Sequence, residues 1–97
     1  MATYITLLNY TDQGIRNVKE TTKRADAFKA IAQKAGATVK SIYWTQGQYD
    51  LVSILEAPNE EAATSLLLSV GALGNIRSQT LRAFSAEEMG RILSKMS

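Results

Sequence analysis

Apolar positions crowd residues 2–10, where Tyr, Ile, Thr and Leu gather without Gly or Pro, and that composition predicts a strand. Ile5 and Leu7 fall on one side of it and Tyr4, Leu8 and Tyr10 on the other, so both faces need cover. Thr11-Asp12-Gln13-Gly14 follows, with side-chain oxygens suited to capping a short helical turn that carries Ile15 and Val18. The period then lengthens. Phe28, Ile31, Ala32 and Ala35 stand at i, i+3, i+4 and i+7, which predicts a helix over 22–35 ended by a left-handed Gly36.

Residues 37–46 return to alternation and stop at Gly47, the turn residue of a hairpin. The second arm, 49–57, is the most apolar stretch of the chain, with Leu51 and Leu55 on one face and Val52 and Ile54 on the other. Pro58 closes it, and Asn59 caps a helix whose first turn holds Glu60 and Glu61, where the dipole favours anions. Ala63, Leu66, Leu67 and Val70 form its apolar stripe, and Gly71 and Gly74 end it. Residues 75–84 are polar enough for an edge strand. Ser85-Ala86-Glu87-Glu88 reads as a capping box opening a tail helix striped by Met89, Ile92, Leu93 and Met96.

The order β-α-β-β-α-β-α predicts an α+β, ferredoxin-like βαββαβ fold: a four-stranded antiparallel sheet, two helices on one face and an added C-terminal helix. The more apolar first and third strands belong in the centre, the second and fourth at the edges. Two helices cover one sheet face only, yet the central strands are apolar on both. A tail helix of about three turns cannot shield strands of about 18 Å. The surplus therefore predicts a homodimer or higher oligomer paired through its sheets, of the dimeric α/β-barrel type, with the tail helix on the neighbour or the rim.

Composition narrows the chemistry. The 97 residues are 45% apolar and 21% charged, with one Pro and no internal linker, as expected of one domain over residues 1–97. There is no Cys and no His, which excludes disulfides, thiol catalysis, thiolate zinc and an imidazole base. No glycine-rich phosphate loop or nucleophile elbow occurs, so no catalytic residue, metal site or cofactor is assigned. The net charge of +2 is small, although residues 1–48 carry a net +4 and the remainder a net −2. Arg16, Lys19 and Lys23 share a side that reads as a solvated face. No basic leader precedes the first strand and no run approaches the ~20 residues of a membrane span, so a cytoplasmic protein without membrane contact is expected.

At Gly47-Gln48-Tyr49-Asp50 the chain resembles the GYD-domain family, small proteins named for a Gly, a Tyr and an Asp at this turn. Tyr4-Ile5-Thr6-Leu7-Leu8-Asn9-Tyr10-Thr11-Asp12-Gln13-Gly14-Ile15, Glu56-Ala57-Pro58, Leu73-Gly74-Asn75-Ile76-Arg77 and Thr80-Leu81-Arg82-Ala83-Phe84 extend the resemblance over nearly the whole chain. It implies the dimeric α/β-barrel architecture and oligomerisation rather than a reaction.

Three functions compete. The first is a self-associating binding or assembly module whose inter-sheet or sheet-to-helix cavity holds a small molecule, with Tyr10, Tyr43, Trp44, Tyr49 and Asp50 as candidate lining groups and Gly47 as a structural turn. Asp50 needs a partner beside Val52 and Ile54, and a backbone amide near the turn is closer than Arg77 or Arg82. The second is a cofactor-free enzyme of the dimeric α/β-barrel type, using Asp50 and Tyr49 in an intra-barrel pocket, by fold analogy alone. The third, nucleic-acid binding, is disfavoured: Leu51-Val52-Ser53-Ile54-Leu55 lacks the aromatic and basic groups that RNA-recognition sheets carry there.

Overall fold

A computed structural model describes residues 1–97. It contains β1 (Ala2–Tyr10), α1 (Asp12–Arg16), a 3₁₀ turn (Val18–Glu20), α2 (Thr21–Lys34), β2 (Thr38–Trp44), β3 (Leu51–Ala57), α3 (Glu60–Gly71), β4 (Ile76–Ala83) and α4 (Ala86–Ser94). The strands form one antiparallel sheet in the order β2-β3-β1-β4. This is the ferredoxin-like arrangement, with the two most apolar strands in the centre.

The alternation in β1 and β3 decides which residues enter the core. Tyr4, Thr6 and Leu8 of β1 and Leu51, Ser53, Leu55 and Ala57 of β3 are buried beneath the helices. Phe28 and Ala32 of α2 and Ala63, Leu66 and Leu67 of α3 close over them. One residue of the expected α2 stripe drops out: Ala35 lies just past the helix, which ends at Lys34, and is exposed while Ala32 is fully buried. The termination itself follows local chemistry, because Gly36 adopts a φ of +79°, which costs a residue without Cβ nothing.

Two polar side chains sit inside this core. Thr6 and Ser53 face each other across the β1–β3 ladder and hydrogen-bond to one another, so neither hydroxyl is left bare. The Tyr4 hydroxyl, by contrast, is buried with no hydrogen-bond partner. Burial pushes its phenol above the ordinary 10.0, the nearby Glu60 carboxylate adds to the rise, and the Arg82 guanidinium opposes it.

The helix starts follow the capping chemistry of their sequences. Thr11 Oγ1 accepts from the Gly14 amide at 3.0 Å, and Asn59 Oδ1 accepts from the Ala62 amide at 2.9 Å. In α4, Ser85 and Glu88 form a reciprocal box: the Ser85 amide donates to Glu88 Oε1 at 2.9 Å and the Glu88 amide donates to Ser85 Oγ at 3.1 Å. The first of these bonds holds the Glu88 carboxyl below its ordinary value; desolvation opposes it, and the Ser85 side chain and Arg82, 3.5 Å away, lower it further. With a folded pKa below the unfolded one, the stabilisation is complete above the ordinary value of 4.5 and is lost as pH falls through the lower folded value. Circular dichroism should therefore show α4 fraying below that range. Glu88→Gln, which keeps the box without the charge, should remove this step from the acid titration.

Candidate functional site

The most unusual surface is the second face of the sheet. Pairing across the strands lays out two apolar rows: Tyr43–Val52–Leu7, and Ile54–Ile5–Leu81. No helix covers them; Ile5, Leu7, Val52 and Ile54 are half-buried, Leu81 is 41% exposed and Tyr43 is 61% exposed. α4 leaves this face open. It is tied back by the Arg82–Glu88 ion pair, and its stripe of Met89, Ile92, Leu93 and Met96 is exposed.

Solvent contact of the chain reflects both features. Its accessible surface is 6469 Å². A compact monomer of this mass exposes about 5,500 Å², so about 1,000 Å² is in excess. The radius of gyration is 14.6 Å, against about 12.5 Å for a compact domain of this length.

The hairpin corner that holds Gly47-Gln48-Tyr49-Asp50 is a set of backbone clamps. Gly47 has a φ of +96°, the conformation that the turn requires. Asp50 Oδ2 accepts from the Tyr10 amide at 2.9 Å, and the Asp50 amide donates to the Leu8 carbonyl at 2.9 Å. Asn9 Nδ2 donates to the Gln48 carbonyl at 2.8 Å, and Thr45 Oγ1 to the Tyr49 carbonyl at 2.6 Å. The Asp50 carboxylate thus prolongs the β1–β3 ladder past its last backbone pair. Asp50→Ala should cost about 1.5–3 kcal/mol in urea unfolding, while Asp50→Asn, which keeps an acceptor oxygen, should cost less than half as much.

The five residues named from the sequence as lining groups are divided between the two faces. Tyr43 lies in the open-face row, and the Tyr49 hydroxyl donates to Gln79 Oε1 at 3.3 Å on that same side. Tyr10 and Trp44 lie on the helix side. Trp44 Nε1 donates to Thr21 Oγ1 at 3.0 Å, and the Tyr10 hydroxyl lies 2.9 Å from the same oxygen. Asp50 stands at the junction between them. Tyr43 and Trp44 are adjacent on one strand, so the pleat sends them to opposite faces and they do not share a pocket.

Thr21 and Arg24 of α2 were not singled out by their sequence context. Together with Tyr10 they border a cavity of about 90 Å³ between α2 and the sheet, lined otherwise mainly by apolar side chains such as Leu8, Phe28, Ile31 and Leu51. One sequence signal was available: the first turn of α2 contains Lys23 and Arg24 and no acidic residue, against the preference of the helix dipole. No group of three or more Asp or Glu residues is placed to hold a metal ion.

A ferredoxin-like α+β protein with one sheet face uncovered and a turn built on Gly47, Tyr49 and Asp50 defines the class. The chain belongs to the GYD domain family, whose model matches residues 4–93. A Thermus thermophilus protein named glutamine synthetase and cystathionine beta-lyase binding protein is 26% identical over 90 residues, covering 92% of this chain and 95% of that one. The crystal structure of TTHA0845, also from Thermus thermophilus, superposes with a TM-score of 0.58 at 23% identity, over 89% of this chain and 96% of that one. That of FFRP-DM1 superposes with a TM-score of 0.60 at 20% identity, over 87% of this chain and all of that one. Both structures share the fold. No helix of the chain is long and apolar enough to cross a membrane.

Proposed function

We propose that residues 1–97 act as one domain of a self-associating adaptor in the cytoplasm: two copies pair through their open sheet faces, and the assembly binds other proteins, enzymes among them. The observation that carries this reading is the pair of apolar rows left uncovered on the second sheet face. The excess exposed area of about 1,000 Å² per chain matches the roughly 800 Å² that each partner buries in a standard interface. Face-to-face packing also removes Tyr43 and Tyr49 from solvent and brings α4 of each copy to the rim of the other, where its stripe gains cover. The partner class is supported by the relative's name, a protein that binds two enzymes.

Pairing is tested by sedimentation at micromolar concentration, where a species of twice the 10.6 kDa chain mass or a larger multiple is expected. A single-chain mass under those conditions rules the pairing out. The adaptor role is tested separately by titrating purified glutamine synthetase with the oligomer in a surface-based binding assay. Saturable association that survives moderate salt supports it. Absence of binding to that enzyme and to cystathionine β-lyase removes the support taken from the relative.

A further inference from the structure

We propose that the cavity between α2 and the helix side of the sheet is a binding site for a short branched aliphatic carboxylate, independent of the pairing face. Its walls are mainly apolar, with Leu8, Phe28, Ile31 and Leu51 among them, and Asn75 is polar. Ser53 forms part of the lining, but its hydroxyl is engaged with Thr6. Arg24 is the one charged side chain among the lining residues.

Arg24 is placed to receive an anion. It forms no ion pair within the chain; its Nη2 donates to the Gly14 carbonyl at 3.1 Å, and its guanidinium lies 5.9 Å from the centre of the Tyr10 ring. Neighbouring Lys23, by comparison, is 3.4 Å from Glu20. A guanidinium has five N–H donors, so four remain after the bond to Gly14. A cation in the first turn of a helix is also opposed by the dipole, and an incoming carboxylate relieves that opposition.

The hydroxyls beside it supply a second donor. Thr21 Oγ1 accepts from Trp44 Nε1 and shares one hydrogen bond with the Tyr10 hydroxyl. Two O–H groups take part in that single Tyr10–Thr21 bond, and only one is its donor. Whichever donates, the other O–H is uncommitted, and both residues border the cavity. Arg24 and this spare hydroxyl together match the two oxygens of a carboxylate.

Size and charge set the ligand class. A dry cavity of about 150 Å³ takes six-carbon benzene, so this one, at about 90 Å³, suits a branched end of about four carbons, with the head group and the carbon next to it at the mouth. No carboxylate lines the cavity to receive an ammonium group. The corresponding α-amino acid is therefore selected against.

The probe is 4-methylpentanoate, with 4-methylpentanol and leucine as the matched neutral and zwitterionic analogues. Binding is read from the fluorescence of Trp44, the only tryptophan, and from amide chemical shifts in the full chain. Saturable binding of the acid is expected below about 10 mM, with the alcohol and leucine each at least about tenfold weaker, as loss of a charge-assisted bond implies. Shifts should cluster at residues 8–10, 21–28 and 51–53. Arg24→Gln should weaken the acid about tenfold and leave the alcohol unchanged. Ala25→Leu fills the space from a helical position and should abolish binding while thermal melting shows the fold intact. No saturation by the acid, equal affinity for the alcohol or leucine, or shifts confined to the open sheet face each overturn the proposal.

Discussion

Ile54→Glu is expected to turn the protein into a single-chain species of 10.6 kDa without unfolding it. Ile54 lies in the centre of the open face, directly opposite Ile5 of β1, and its side chain contributes nothing to the helix-side core. In the separated chain Ile54 is half-buried on a face that no helix covers, so the longer Glu side chain reaches water past its neighbours and the cost is small. In the paired state it would be buried in an apolar interface with no cationic partner on the open-face rows, at several kcal/mol per ion. Micromolar association corresponds to about 8 kcal/mol, so a penalty of even about 4 kcal/mol weakens pairing about a thousandfold. Sedimentation equilibrium at about 10 μM reads the change directly. Leu68→Glu is the control: Leu68 is 68% exposed on α3, on the other side of the sheet, and its substitution should leave the mass unaltered. If Ile54→Glu keeps the wild-type mass, pairing does not use this face.

Gly14→Ala should be the most damaging single methyl addition in the chain. A Cβ at Gly14 would lie 1.9 Å from the Asn75 carbonyl oxygen and 2.9 Å from its carbon, both backbone atoms that cannot rotate away. The surrounding bonds hold the two segments together: the Thr11 amide donates to that same oxygen at 3.1 Å, Thr11 Oγ1 to the Gly74 carbonyl at 2.5 Å, and Gln13 Nε2 to Asn75 Oδ1 at 2.9 Å. Relief requires pulling the loop before β4 off α1, so a loss of about 3 kcal/mol is expected, and a fall in Tm of about 10–20 °C. Gly90→Ala, inside α4 with nothing near the added carbon, should instead gain about 0.5–1 kcal/mol from helix propensity. Thermal unfolding of the two variants should therefore move in opposite directions. A neutral Gly14→Ala would mean that α1 and the β4 approach are not tightly joined.

The two variants probe different kinds of information. Strand alternation at Tyr4, Leu8, Leu51 and Leu55, and helical spacing at Ala63, Leu66 and Leu67, were readable because burial on one face imposes a period on neighbouring residues. Caps at Thr11, Asn59 and Ser85 were readable for the same local reason. The contact at Gly14 was not: it joins residues 61 positions apart, and no local period records it. The candidate lining set suffered likewise. Tyr43 and Trp44 looked like one aromatic group in sequence, and the pleat separated them. Thr21 and Arg24, meanwhile, reach the neighbourhood of Tyr10 and Trp44 from a helix remote in sequence from both strands.

By itself, then, the chain's pattern determined the elements, their order, the central strands and the existence of more apolar surface than two helices can cover, because each of these depends on residues a few positions apart. Only the tertiary structure decided which side chains meet: that Asp50 spends its carboxylate on the Tyr10 amide, that Tyr49 turns to the open face, that α4 is held by Arg82 away from it, and that Arg24, without a counter-ion, lines a cavity. Such pairings depend on the register of strands and the seating of helices, and these are settled by the packing of the whole core rather than by any segment's own propensity.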